Sequence, residues 1–135
     1  MSSLSAFLNP IKAENKEVVI SNRFVEGGKP VPFVIKPISQ EENKKLIKKF
    51  TTKDKKTGVQ SFDRPEYIAQ LTADAVVFPD LTNAELQKAY GVLGASNLLQ
   101  KMLYAGEYAE LVEAIQELSG FDEDINDDIE EVKNE

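Results

Sequence analysis

Three residue types are missing from this 135-residue chain: histidine, cysteine and tryptophan. Their absence removes a histidine-based catalytic triad, a cysteine nucleophile and any zinc site built on Cys or His. Disulfides go with them, and so does the usual staple of secreted domains. No apolar run approaches the roughly 20 residues that a membrane helix needs. No basic-then-apolar leader with a small-residue cleavage site opens the chain, so a soluble protein of the cytoplasm is expected. A phosphate-binding glycine loop is absent as well: Gly27-Gly28-Lys29 lacks the earlier glycine and the following Ser or Thr, and reads as a turn. Neither a cofactor nor a bound metal is expected, and an enzyme is the weakest functional class.

What is present suits one folded unit. Hydrophobic residues make up 41% of the chain, too many for compositional disorder, and the length matches a single domain with one core. Charge is divided unevenly. Residues 1–60 hold twelve basic and six acidic side chains, residues 61–120 hold three and nine, and residues 121–135 hold eight acids against Lys133. The net charge of −7 therefore equals that of the last fifteen residues, because the preceding 120 balance. Blocks of like charge are solvated and self-repelling. Residues 1–120 are expected to form a single compact domain, and 121–135 an acidic tail that nucleic acid would avoid.

Local patterns divide the domain further. Two β-type runs, Val18–Phe24 and Val31–Ile38, flank the turn Glu26-Gly27-Gly28-Lys29-Pro30 and predict a hairpin over about 18–38. Helices follow over about 39–120. Ser39 with Glu42 forms a capping-box signal for a helix to about Phe50, whose apolar line is Leu46, Ile47 and Phe50. Thr51 to Phe62 reads as an exposed loop. Asp63-Arg64-Pro65-Glu66 starts a second helix expected to reach Phe78, with Tyr67, Leu71 and Ala75 inward and Pro79 as its stop. Thr82 with Glu85 caps a short helix presenting Leu86, Ala89 and Tyr90, closed by Gly91. Gly94 to Leu103 forms another. Glu107 to Ser119 is the clearest periodic segment, with Tyr108, Leu111, Val112, Ile115 and Leu118 on one face and four glutamates on the other. The expected fold is α+β, mainly α: an N-terminal β-hairpin, a four- or five-helix bundle and an acidic C-terminal tail.

Few side-chain constellations carry chemistry. Asp122 to Asp128 begins like a calcium loop but places Asp127 where the turn needs glycine and Lys133 where a closing carboxylate belongs. The seven lysines from Lys44 to Lys56 attract phosphates, yet only Phe50 among them is placed to stack a base, and Phe50 is better used in the core. Glu107, Glu110, Glu113 and Glu117 form a like-charged stripe; a solvated face is the plain reading, and the Lys44–Lys49 face of the same or a neighbouring chain is the alternative. Leu98, Leu99, Met102, Leu103 and Tyr104 are either core or a groove for a partner, since methionine adapts to varied shapes.

The order and spacing of several short motifs resemble one known family. Pro79-Asp80-Leu81, Asn83-Ala84-Glu85-Leu86-Gln87, Tyr90-Gly91-Val92, Leu98-Leu99, Met102-Leu103, Gly106-Glu107-Tyr108 and Glu117-Leu118-Ser119-Gly120-Phe121-Asp122 together resemble the XkdN-like phage tail assembly chaperones of bacteriophages and prophages in Gram-positive hosts. Upstream, Phe33 to Ile38, Glu41-Glu42-Asn43, Gly58, Asp63 and Tyr67 fit the same order, so the likeness covers about residues 30–133. These motifs are helix starts, helix stops and core positions, so they identify a fold family and not a catalytic site.

The resemblance implies a non-catalytic protein of the host bacterial cytoplasm. Such a protein binds the tape measure protein before and while tail-tube subunits polymerise around it, and is absent from the finished particle. A longer, frameshifted product that recruits the tail-tube subunit is a feature of such chaperones. The family pattern assigns no contact residues. From the residues themselves, Leu98, Leu99, Met102, Leu103, Tyr104, Tyr108 and Phe121 are the expected partner contacts, and the opposite charge of the two halves points to self-association as a homo-oligomer. Two other classes stay open: a structural tail or head-completion component retained in the virion, and a nucleic-acid-binding regulator using the Lys44–Lys56 patch.

Overall fold

The computed structural model describes residues 3–121 and shows an α+β protein of six helices and small antiparallel sheets. The acidic segment 122–135, including the calcium-like Asp122–Asp128 stretch, lies outside the described residues. A short helix α1, Leu4–Leu8, precedes strand β1, Lys16–Val18; no sequence signal had marked α1. The predicted hairpin is present in divided form. Strand β2, Val25–Glu26, turns through Gly27 and Gly28 (φ 60° and 78°) into β3, Lys29–Pro30, while β1 pairs further out with β4, Phe33–Ile35. Between the two ladders the strands separate. Pro30 and Pro32 cannot donate to a ladder, and Ile20 and Ser21 turn inward to become buried. Alternation along β4 places Phe33 and Ile35, 2% and 0% exposed, in the core.

Helix α2, Gln40–Lys49, starts as expected: the Glu42 backbone N–H donates to Ser39 Oγ at 3.1 Å, and Ser39 N–H donates back to the Glu42 carboxylate. Its apolar line is narrower than predicted, since Leu46 is buried and Phe50 packs on the core but Ile47 is 41% exposed. The expected loop after it is an exposed hairpin, β5 (Thr51–Lys53) and β6 (Gln60–Phe62), turned by Asp54 and Gly58. Thr51-Thr52 and Val59 to Phe62 favour extended backbone, a signal hidden by the lysines between them.

Helix α3, Arg64–Ala75, is capped by Asp63 with Pro65 in the first turn and buries Tyr67, Leu71, Ala73 and Ala75. It ends three residues earlier than predicted. Val76–Phe78 is strand β7, paired with β4 on the side opposite β1, so the sheet order is β1-β4-β7. A residue before proline disfavours the helical region, and Val-Val-Phe suits a pleated surface; the free edge of β4 supplies the ladder. An apolar stretch read from one dimension as a helix end is therefore a strand, because its partner lies about forty residues upstream.

Helix α4, Ala84–Tyr90, is capped by Asn83, whose Oδ1 accepts from Leu86 N–H at 2.9 Å. Thr82, the predicted cap, instead donates to Asp80 at 2.6 Å. Leu86 and Tyr90 pack on the core while Ala89 is exposed, and Gly91 (φ 68°) closes the helix. Helix α5, Ala95–Met102, and helix α6, Ala105–Leu118, complete the chain. α6 begins two residues earlier than predicted because Glu107 reaches back to the Tyr104 backbone N–H, at 2.8 Å. α3 is central and touches α2, α5, α6 and β7. The end of α6 is tied to the entry of α2, where Ile38 N–H donates to Ser119 Oγ at 2.9 Å.

Candidate functional site

Phe24 and Phe33 stand with ring centroids 6.0 Å apart and planes inclined at 57°, an edge-biased pair of the favourable kind. They form one wall of a groove of about 470 Å³, whose other walls are Phe78 and Pro79 from the end of β7, Leu86 and Tyr90 one turn apart on α4, and Met102 at the end of α5. Local rules explain each placement. β4 alternation sends Phe33 toward the core; the helical repeat puts Leu86 and Tyr90 on one face; Met102 is the last residue before α5 gives way to extended Leu103. Phe33 and Met102 are buried at the floor, while Val25 and Phe78 at the mouth are 52% and 50% exposed.

One ionic cluster fixes the rim. The Arg23 guanidinium donates to both Glu107 carboxylate oxygens, at 3.1 Å from Nε and 2.5 Å from a terminal nitrogen, and to the Met102 carbonyl at 2.9 Å. It also lies over the Tyr104 ring, 4.4 Å from the centroid, and over Phe24 at 5.0 Å. The hydrogen bond from Arg23 holds the Glu107 carboxyl down to about 2, with help from the Ser21 side chain and the Tyr104 backbone N–H. The same bond raises the Arg23 guanidinium above its ordinary value. Bidentate pairing of this kind positions groups and leaves no proton to transfer near neutral pH. The cluster joins two stretches of chain, 21–24 and 102–107, into one lip.

The expected contact residues fall into different environments. Leu98 and Leu99 are fully buried and Leu103 is 8% exposed, so these three are core and have no surface to offer a partner. Met102 lines the groove, and Tyr104, 69% exposed, stands beside Arg23 on the lip. Tyr108 is half-buried on the α3 side, where burial pushes its hydroxyl pKa up and the Thr72 side chain bonds it. Phe121 is half-buried at the end of α6, its N–H donating to the Gln116 carbonyl at 2.9 Å. Sequence reasoning did not mark Arg23, Phe24 or Phe78 as site residues. Arg23 and Glu107 are 84 positions apart, and no local pattern links them.

Around the groove the chemistry is that of recognition. Apolar walls, a saturated ion pair and half-exposed aromatics are the groups that recognition of an apolar surface uses. Among the described residues, no group of three or more acidic, His or Cys side chains stands where it holds a metal ion, and no helix is long and apolar enough to cross a membrane. Glu110, Glu113 and Glu117 are exposed, and the Arg23–Glu107, Lys36–Glu42 and Lys45–Glu41 ion pairs do not include them.

An α+β protein with an open apolar groove is thus the class that fold and site define. The chain belongs to the phage XkdN-like tail assembly chaperones, whose family model matches residues 4–133. It is 33% identical over 129 residues to the phage-like element PBSX protein XkdN of Bacillus subtilis (strain 168), covering 92% of this chain and 87% of that one. It is 35% identical over 129 residues to the uncharacterized protein YqbN of the same organism, with the same coverage. Its fold is similar to the crystal structure of the protein YqbN, with a TM-score of 0.78 at 32% identity over 90% of this chain and 99% of that chain. The family is one of assembly proteins, and the chain is not an enzyme.

Proposed function

We propose that this chain binds the tape measure protein in the host bacterial cytoplasm, keeps it soluble while tail-tube subunits polymerise around it, and leaves before the particle is complete. The observation that carries the reading is the groove between Phe24, Phe33, Phe78, Leu86 and Met102. A long helical client presents an amphipathic face, and helix-in-groove recognition needs an apolar trough with adaptable walls. The Arg23–Glu107 lip keeps that trough open and places Tyr104 at its edge. Of the residues expected as contacts, Met102 and Tyr104 fill that role here, and Leu98, Leu99 and Leu103 support the floor from beneath. A net charge of −7 keeps a client complex dissolved. A C-terminally extended product would carry the tail-tube subunit to the same client.

Co-expression with the tape measure protein of the same gene cluster tests the reading. A soluble, co-purifying complex is expected, together with its loss on Phe78→Ser or Val25→Ser while the melting temperature of the free chain stays within a few degrees. A client equally soluble alone, with nothing co-purifying, overturns it. Mass spectrometry of purified virions is expected to find no copy of this chain. Stoichiometric copies would make it a structural tail or head-completion component instead.

A further inference from the structure

The described chain ends near the start of α2, the helix that carries a basic surface toward its far end. Ser119 Oγ accepts from Ile38 N–H, one residue before the cap of α2, so Phe121 leaves the fold near the start of that helix. α2 then carries Lys44, Lys45, Lys48 and Lys49, and the β5–β6 hairpin adds Lys53, Lys55 and Lys56, all seven exposed. Three acids of this region are engaged elsewhere: Glu42 faces Lys36 at 3.6 Å, Asp63 caps α3, and the Asp54 carboxylate accepts the Lys56 N–H at 2.7 Å in its own turn. Among the described residues only Lys45 of the seven has a carboxylate partner, Glu41 at 3.5 Å.

We infer that the lysine face of α2 and the β5–β6 hairpin is the docking surface for residues 122–135 of the same chain. The charges match, eight acids and one lysine against seven lysines. The reach is ample: fourteen residues span up to about 46 Å when extended, and the ten residues of α2 are only about 15 Å long. Attachment within one chain also favours the contact, because a short tether holds the segment at an effective concentration in the millimolar range. The segment covers a basic patch that would otherwise collect nucleic acid, and exposed charges hold it, so salt releases it. This inference is independent of the client groove, which lies among β2, β4, β7 and α4.

The chain has no cysteine, so Asn134→Cys accepts a single spin label. In the full-length 15N chain at about 20 mM salt, amide signals of residues 44–56 are expected to fall about twofold or more, with those of α4 and α5 unchanged. At about 0.5 M salt, where screening reaches only a few ångströms, the signals should recover. Combined Lys48→Glu, Lys49→Glu and Lys53→Glu substitutions should abolish the effect. Unaltered signals at low salt, or broadening that survives those substitutions, overturn the inference. Broadening seen only when labelled and spin-labelled chains are mixed assigns the face to a second copy and overturns it in the form stated. A full-length variant with Asp127→Asn, Asp128→Asn, Glu130→Gln and Glu131→Gln should bind single-stranded DNA about tenfold more tightly than the parent at low salt; equal binding argues against a covering role.

Discussion

Glu107 does three jobs from one position: it takes Arg23 in a two-point grip, accepts the Tyr104 N–H that opens α6, and so holds the lip of the groove. Its pKa in the folded chain, about 2, lies below the ordinary 4.5. The unfolded chain therefore binds more protons than the native one between these values. The stabilisation is complete above about 4.5 and is lost as pH falls through about 2. The expected outcome is that the stability advantage of the parent over Glu107→Gln is full at neutral pH, shrinks across that window, and vanishes below it. Urea denaturation of both proteins at stepped pH is the check; an advantage constant down to pH 2 would contradict the assignment. Burial rather than charge governs Tyr67, whose hydroxyl donates to Asn43 and whose pKa is pushed up.

Elements form where local chemistry and neighbours agree. Ser39 and Glu42 satisfy each other's free N–H groups at the start of α2, and the Ser39→Ala variant is expected to lose about 0.5–2 kcal/mol by chemical denaturation. A loss near zero would mean that water replaces the cap. Val76 to Phe78 illustrates the reverse case. Apolar residues following a helix satisfy a helical pattern and a strand pattern equally, and pairing with Val34 and Ile35 decides between them. The same blindness turned the β5–β6 hairpin into a loop and Asn83 into a bystander beside Thr82. In each, the deciding partner is a hydrogen bond that composition does not encode.

At the scale of the whole molecule, α3 is the axle on which α2, α5, α6 and β7 close, and Leu71 and Ala75 share one core cluster with Leu98 and Leu99 of α5. Leu99, fully buried, is expected to cost about 2–5 kcal/mol on truncation to alanine. Client binding at a temperature where Leu99→Ala remains folded should be near normal, whereas Phe78→Ser should lose binding and keep its stability. Calorimetry with pull-down on both variants checks this. The reverse pattern would place the client on the core helices, where the run from Leu98 to Leu103 first pointed, and not on the groove.

Sequence alone determined which residue types are missing, the helix starts at Ser39 and Asp63, the stop at Gly91, the inward residues of α3 and α6, and the family. Each of these is a short-range matter: caps, turns and periodic burial act within a few residues, so their signals are written locally. Only the tertiary structure decided which of two apolar surfaces was a core and which a groove. Leu98, Leu99 and Leu103 face inward because they join the core cluster on which α3 and α5 meet, and Phe33 and Phe78 share one trough because β4 pairs with β7, with Phe24 packed against Phe33 from the loop before β2. The Arg23–Glu107 contact depends on the same closure, since a pair 84 residues apart meets only once the sheet and the last helix have packed.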